Sequence, residues 1–458
     1  MSGLRGMLTL DELRDAVADG SIDTVLVAAT DLQGRLVGKR VTGWFFLEEI
    51  AEHSVEACNY LLAVDVEMTP LPGYTFANWD TGYGDISLVP DLSTMRLVPW
   101  LEATALVLCD IVDEADRSPI AVSPRQILSA QVERARAAGF APAIGAELEF
   151  FLFRDSYAEL AERRFADPRP HSDWIEDYHI FQTTRDEYVI RRIRNAMDAC
   201  GIPVEFSKGE AGYGQHEINL RFADALEMAD RQSIYKNAVR EIADQEGRSV
   251  TFMAKYSEDD VGSSCHLHIS LTDVESGETV FDTPAGTSDG SVRFRHFLGG
   301  IIAASRDLAL CWAPTLNSYK RYAPESWAPT AIAWGTDNRT CGYRIVGHGS
   351  GTRLESRIPG ADVNGYIAYA ALIAAGIRGI ELGIDPPPPT EGNAYEADVP
   401  RIPSTFIEAI EAFASSEVAV EIFGEAVHHH LLNSARQEWL AANRAVTDWE
   451  RRRYFAQF

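Results

Sequence analysis

Three short stretches of the chain carry ionisable side chains at a spacing of two, with apolar or small residues between them. Glu147 and Glu149 alternate with Leu148 and Phe150; His266, His268 and Ser270 alternate with Leu267 and Ile269; Arg353, Glu355 and Arg357 alternate with Leu354 and Ser356. A strand sends successive side chains to opposite faces, so each stretch gathers its polar groups on one side. A water-facing sheet accounts for one such strand. Several of them mixing Glu, His and Arg point instead to a site. Glu210 and Glu217 lie between these stretches in Lys208–Glu217, among glycines that let the backbone turn. Four glutamates and a histidine are hard donors, suited to Mg²⁺ or Mn²⁺ rather than zinc. Arg321, Arg339, Arg344, Arg353 and Arg357 are the complement, because guanidinium forks grip carboxylate and phosphate oxygens bidentately. Metal carboxylates facing arginines are the equipment of phosphoryl transfer. No Gly-x-x-x-x-Gly-Lys-Ser/Thr loop is present, so a nucleotide would bind without a P-loop. Gly347–Gly351 reads as a hairpin turn rather than a phosphate cradle.

These residues need a scaffold of strands backed by helices. Thr9 to Glu12 has capping-box spacing and opens a helix through Leu10, Leu13 and Val17. Strands follow over Val25–Ala29 and toward Val41, with a turn at Asp31–Gly34, and Ala103–Val112 reads as a buried strand. Residues 1–115 are thus expected to form a small α+β domain, and 116–458 a second domain. The second opens on Ser123 and Pro124, a helix start that Gly139 closes. Helices are expected near 184–200, 224–247, 291–310, 362–382 and 405–437, with a Gly/Ser/Thr/Asp-rich loop over 273–290.

Composition narrows the class. The chain has 458 residues, 46% hydrophobic and 24% charged, enough for a sizeable core. Its 41 Lys and Arg against 68 Asp and Glu give a net charge of −27, which argues against nucleic acid as a partner. The basic runs at 191–194 and 451–453 read as solvated helix faces. The N-terminus lacks a secretory apolar segment, and the apolar stretch Ile367–Ile377 is too short to span a bilayer, so no membrane partner is expected. Six scattered cysteines without a Cys-x-x-Cys pair read as reduced, mostly buried thiols of a cytoplasmic protein.

Over nearly its whole length the sequence resembles the type I glutamine synthetase family. The resemblance rests on Glu147-Leu-Glu149, Gly214-Gln-His-Glu217, His266-Leu-His268, Asn317-Ser-Tyr-Lys-Arg321, Asn338-Arg339 and Arg353-Leu-Glu-Ser-Arg357, in that order. It implies an α+β fold with an N-terminal β-grasp domain and a C-terminal catalytic domain, an antiparallel sheet with surrounding helices. It also implies a homo-oligomer, a dodecamer of two hexameric rings, with active sites completed between neighbours. Carried over by position, Glu149, Glu210 and Glu217 would hold one Mg²⁺ or Mn²⁺, and Glu147, His266 and Glu355 the second. Arg339, Arg344 and Arg353 would face the phosphates of ATP, with Glu205, His268 and Ser270 near the nucleotide. Arg321 and Arg357 would hold glutamate and its γ-phosphorylated form, which a nitrogen nucleophile then attacks.

The sequence departs from the family at the nucleophile. Gly38–Phe45 lacks the aspartate that holds ammonium, and Pro324-Glu-Ser-Trp327-Ala-Pro329 carries Trp327 where ammonium-using members have a flap glutamate. The run 326–341 instead resembles the γ-glutamyl-amine ligases, nearest the actinobacterial γ-glutamylethanolamide synthetase branch, with polyamine ligases as relatives. The partners implied are glutamate, ATP and a small primary amine, ethanolamine above all, whose cation an aromatic wall can contact. Glu325 is a weak candidate for the base. An ammonium-using glutamine synthetase with an unusual flap and a non-catalytic ring-forming paralogue are the alternatives, although the second is at odds with the intact metal carboxylates. His428–His430 read as helix surface or a subunit contact. Tyr395 lies near the tyrosine that some members adenylylate, but among different neighbours.

Overall fold

Alternation of polar and apolar residues builds the sheet that carries the site. In the computed structural model, which describes residues 4–281, 290–322 and 326–458, the chain forms two sheets with surrounding helices, the α+β class expected. The first is built from β1 (Thr24–Thr30), β2 (Leu36–Thr42), β3 (Val55–Cys58), β4 (Asp85–Pro90), β5 (Arg96–Leu97) and β6 (Thr104–Asp113). Its order is β2-β1-β6-β4-β3, with β5 also on β6, and the central β1–β6 pair is parallel. The helix Leu10–Ala18 precedes it, opened by the Thr9–Glu12 capping box.

The second sheet comprises β7 (Phe140–Phe153), β8 (Val204–Gly209), β9 (Gln215–Leu220), β10 (Ala223–Asp224), β11 (Ser249–Thr251), β12 (Cys265–Asp273), β13 (Trp334–Thr336), β14 (Tyr343–Val346) and β15 (Arg353–Ser356). The order β13-β14-β15-β12-β7-β9-β8 puts the long β7 beside both β12 and β9. One face of this sheet is the core: Leu148, Phe150, Ile218, Leu267, Ile269 and Leu354 are all buried. Helices Pro124–Ala137 and Ala225–Gln245 pack against β7. Burial of these side chains stabilises the sheet by about 1.5–3 kcal/mol each.

The expected helices form with adjusted limits. The stretch read as one helix over 405–437 is two, Phe406–Ala414 and Glu417–Arg444, because Ser416 caps the second through its hydroxyl. Glu417–Arg444 is itself kinked at Gly424, whose φ is 75°. His428 and His430 are not surface residues: both are buried, bonded to the carbonyls of Phe413 and Leu62. Ser123 precedes Pro124–Ala137 without capping it through its side chain. The apolar stretch around Ile367–Ile377 belongs to Gly365–Leu382, the one described helix long and apolar enough to cross a membrane, and 78% of it is buried in the protein. The six cysteines are unpaired and five are buried. Residues 282–289 of the 273–290 loop, and Glu325, lie outside the described residues.

A buried ionic network ties the first sheet to the helices behind the second. Arg125 meets Asp230 at 3.1 Å through both Nε and Nη2, Asp110 at 2.5 Å and Asp91 at 2.6 Å. Tyr366 donates to Asp230 at 2.6 Å. Removing one member of such a pair strands the other charge out of water, at a cost of about 3–5 kcal/mol. Arg125→Ala should therefore lower unfolding stability in urea by about that amount. A loss below about 1 kcal/mol would show that Asp230 does not depend on the guanidinium.

Candidate active site

Register converts the scattered motifs into one surface. Directly opposed residues in an antiparallel pair share a face. Glu147 lies opposite His266 on β12 and Asn219 on β9; Glu149 lies opposite Glu217, and Glu217 opposite Lys208. On the other side His268 faces Glu355, and Glu355 faces Arg344. The polar face of the sheet therefore runs Arg344, Glu355, His268, Glu147, Glu149, Glu217, Lys208, with the apolar residues of the same strands in the core.

A cavity of about 800 Å³ opens on this face. Glu147, Glu149, Glu210, Glu217 and His266 line it, together with Arg321, Arg339, Arg344, Arg357 and Trp327. Glu355 stands behind them, 1% exposed, held by Arg344 Nη1 at 2.8 Å and Arg357 Nη1 at 2.5 Å. Arg321 is fixed by donating to the carbonyls of Ile358 and Arg357. An adjoining cavity of about 390 Å³ takes in Glu205, His268, Ser270 and Arg353 and shares Glu147, Phe206 and Asn219 with the first. Gly349–Gly351 forms the turn between β14 and β15, as expected of a hairpin, yet Ser350 and Gly351 also reach this second cavity.

Electrostatics inside the first cavity are dominated by crowded carboxylates. Ligand oxygens of Glu149, Glu210 and Glu217 lie within 4.8 Å of one another. Burial and the neighbouring carboxylates push Glu217 well above the ordinary carboxylate range, and burial with Glu149 pushes Glu210 to about 7. Burial raises Glu149 too, although the Ser264 amide at 2.7 Å and hydroxyl at 2.5 Å favour its charge. Burial also works against the charge of Glu147, but His266 at 3.3 Å and His268 at 2.9 Å offset it and hold the carboxyl below its usual range. His266 is lowered to about 4 by burial and Arg357.

The donor set fits divalent cations. Three converging carboxylates have only the Lys208 ammonium in ion-pair contact, 2.5 Å from Glu210, among the described residues, and His266 Nε2 is buried with no hydrogen-bond partner. A second group, Glu147, His268 and Glu355, also converges within 4.8 Å. The geometry thus brings His268, which the family pattern places near nucleotide, to 2.9 Å from Glu147, against 3.3 Å for His266, and into one group with Glu355.

Several wall residues carried no motif. Asp177, Tyr178, Ile180 and Lys208 line the main cavity, Phe206 stands where the two cavities meet, and Phe222 lines the second. Segment 171–186 is held to the back of β9, where His216 Nε2 lies 2.8 Å from Asp186. Gly209 lets this segment approach, since a Cβ there would stand 2.5 Å from the Glu176 carbonyl. Their one sequence signal is a loop rich in aromatics, Trp174 to Phe181.

Two outcomes are expected of this site. Because a cation must displace the proton that Glu210 holds below about pH 7, Mn²⁺ affinity should rise at least about tenfold from pH 6 to 8 with proton release, read by calorimetry. A flat profile would contradict the carboxylate set. Glu217→Gln keeps shape but removes charge and should abolish turnover, measured as phosphate release.

The family model described as glutamine synthetase, catalytic domain, matches residues 121–454. The γ-glutamylethanolamide synthetase GlnA4 of Streptomyces coelicolor is 48% identical over 448 residues, covering 98% of this chain and 96% of that protein. The glutamate–isopropylamine ligase of a Pseudomonas species is 37% identical, covering 97% of each. The solved structure of apo GmaS without ligand superposes with a TM-score of 0.84 at 27% identity, over 97% of this chain and 99% of that one.

Proposed function

The chain belongs to the glutamine synthetase family, and we propose that within it the protein joins the γ-carboxylate of glutamate to a small primary amine, ethanolamine above all. It is a ligase of the glutamate–amine type. The observation that carries the choice of amine is Trp327, which lines the carboxylate cavity with Arg321 and Arg357 and is 64% exposed. Its φ of 60° is strained for so bulky a residue, and in the sequence it takes the position where the resemblance puts the flap glutamate of ammonium-using members. The names of the two curated relatives, an ethanolamide synthetase and an isopropylamine ligase, support the same reading.

The residues divide the work. Glu149, Glu210 and Glu217 would hold one divalent ion, and Glu147, Glu355 and His266 a second, with Mg²⁺ favoured by the oxygen-rich set. When bound, the ions supply charge that offsets the transferring phosphoryl group. Arg339, Arg344 and Arg353 face the ATP phosphates, and Glu205, His268 and Ser270 line the nucleotide end. Arg321 and Arg357 orient glutamate so that its γ-carboxylate attacks the γ-phosphorus of ATP with ADP leaving, and the amine, once it has given up a proton, displaces phosphate from the acyl phosphate. Holding the partners in this order supplies much of the rate.

Assembly into rings of a cytoplasmic homo-oligomer, with residues 1–115 of one subunit completing a neighbour's site, belongs to the same proposal. Its support is the exposed apolar run Trp174, Ile175, Tyr178, Ile180 and Phe181, of which Tyr178 and Ile180 line the cavity, more than a lone subunit usually leaves in water.

Phosphate release with Mg²⁺, ATP and glutamate against a panel of amines and ammonium tests the reading. Ethanolamine or another small primary amine should outpace ammonium. Trp327→Glu should shift the preference back toward ammonium. Glutamine formed faster than any amide by the wild-type protein would sink the amine assignment.

A further inference from the structure

An amine near neutral pH arrives as a cation, so its site needs a negative group beside the reaction centre. The family's two ammonium carboxylates are missing from the sequence, and most carboxylates of the main cavity are committed. Of the acids among the described residues lining it, Glu147, Glu149, Glu210 and Glu217 make up the metal set, and Asp177 alone remains. Asp177 stands on the wall segment 171–186, joined to the end of β8 by a bridge to Gly209.

What Asp177 holds in this structure is itself a primary alkylammonium. Lys208 Nζ lies 3.2 Å from Asp177 Oδ1, 2.5 Å from Glu210 and 4.4 Å from the centroid of the Tyr178 ring. A carboxylate and an aromatic face flanking one –NH₃⁺ are the pairing that recognises such groups. Asp177 Oδ2 accepts no hydrogen bond from the described residues and its side chain is 41% exposed, so the group retains capacity for a second ammonium. Tyr178, like Trp327, holds a positive φ, 56°, and is exposed, and both rings line the same cavity. Two bulky residues in the left-handed region on one cavity mark a wall whose side-chain directions are set against backbone preference.

We propose that Asp177 anchors the ammonium group of the incoming amine, with the Tyr178 and Trp327 rings flanking its carbon chain. This rests on the amine-ligase reading above. Asp177 supplies attraction for any small cation, and the rings supply the preference for a carbon-bearing one. Asp177 is therefore a binding residue for the second substrate and has no part in forming the acyl phosphate.

The test compares Asp177→Asn with wild type on ethanolamine and on hydroxylamine, a nucleophile that is uncharged at neutral pH. The substitution should raise the KM for ethanolamine about 10–100-fold, the loss expected when a charged hydrogen-bond partner is removed. The kcat/KM for hydroxylamine should fall by no more than about a tenth of that factor, with the KM of ATP and glutamate within about twofold. An ethanolamine KM within about threefold of wild type overturns the anchor. So does an equal loss with both nucleophiles, which would mark Asp177 as a support for the wall. A wild-type enzyme that couples ethanolamine while Asp177→Asn behaves normally removes only the anchor. A wild-type enzyme that prefers ammonium removes the amine reading itself, and the anchor with it.

Discussion

Three carboxylates whose oxygens converge within 4.8 Å, largely out of water, repel one another unless protons or cations intervene. Much of the surrounding structure holds Glu149, Glu210 and Glu217 in that unfavourable arrangement. Strand pairing fixes Glu149 opposite Glu217, and the Ser264 amide and hydroxyl with Gln215 Nε2 at 3.1 Å clamp Glu149 from the side. Lys208 leans on Glu210, and two imidazoles lean on Glu147. The apolar residues that alternate with these groups anchor the same strands in the core, so moving one carboxylate would disturb packing on the far side of the sheet. The repulsion is stored by a rigid element, which is what a site preorganised for cations and phosphate requires.

Sequence conveyed the sheet-borne part of this arrangement because period-two alternation maps directly onto a face. Glu147, Glu149, His266, His268, Arg353, Glu355 and Arg357 could be placed together without coordinates. The register could not: that His268 faces Glu355, while His266 faces Glu147, depends on which residues pair across β12, β7 and β15. Hence the family pattern separates the two imidazoles by role, while geometry sets both beside one carboxylate. His428 and His430 were misplaced for a related reason. Three adjacent histidines look like surface, but burial on a helix depends on what packs there, here Phe413 and the segment at Leu62.

The wall segment 171–186 was illegible for a different reason. Its residues follow no period, and its position comes from long-range pairs such as Asp186 with His216 and the bridge from Asp177 to Gly209. Loop placement is a tertiary outcome, and propensity says little about it.

This division of labour bears on how such a family can change its nucleophile. On the proposed reading, phosphoryl transfer would rest mainly on the sheet. There Glu147, Glu149, Glu217, His266 and Glu355 are coupled through alternation and register to the core, and only Glu210 sits in a turn, between β8 and β9, so substitutions on these strands are costly in both chemistry and packing. The second substrate, on the same reading, would be met by side chains on connecting segments, Trp327 in one and Asp177 and Tyr178 in another, outside the strands. Replacing a carboxylate by an aromatic ring on such a segment leaves the strands, the core and the carboxylate crowding untouched. Trp327 and Tyr178 both adopt a left-handed backbone that disfavours bulky side chains. That strain, of order 1–3 kcal/mol per residue, is tolerable on a wall supported by a rigid sheet. Were the metal carboxylates carried on loops and the amine wall on strands, a change of nucleophile would have to pass through the core. With the present arrangement it passes through a few exposed side chains.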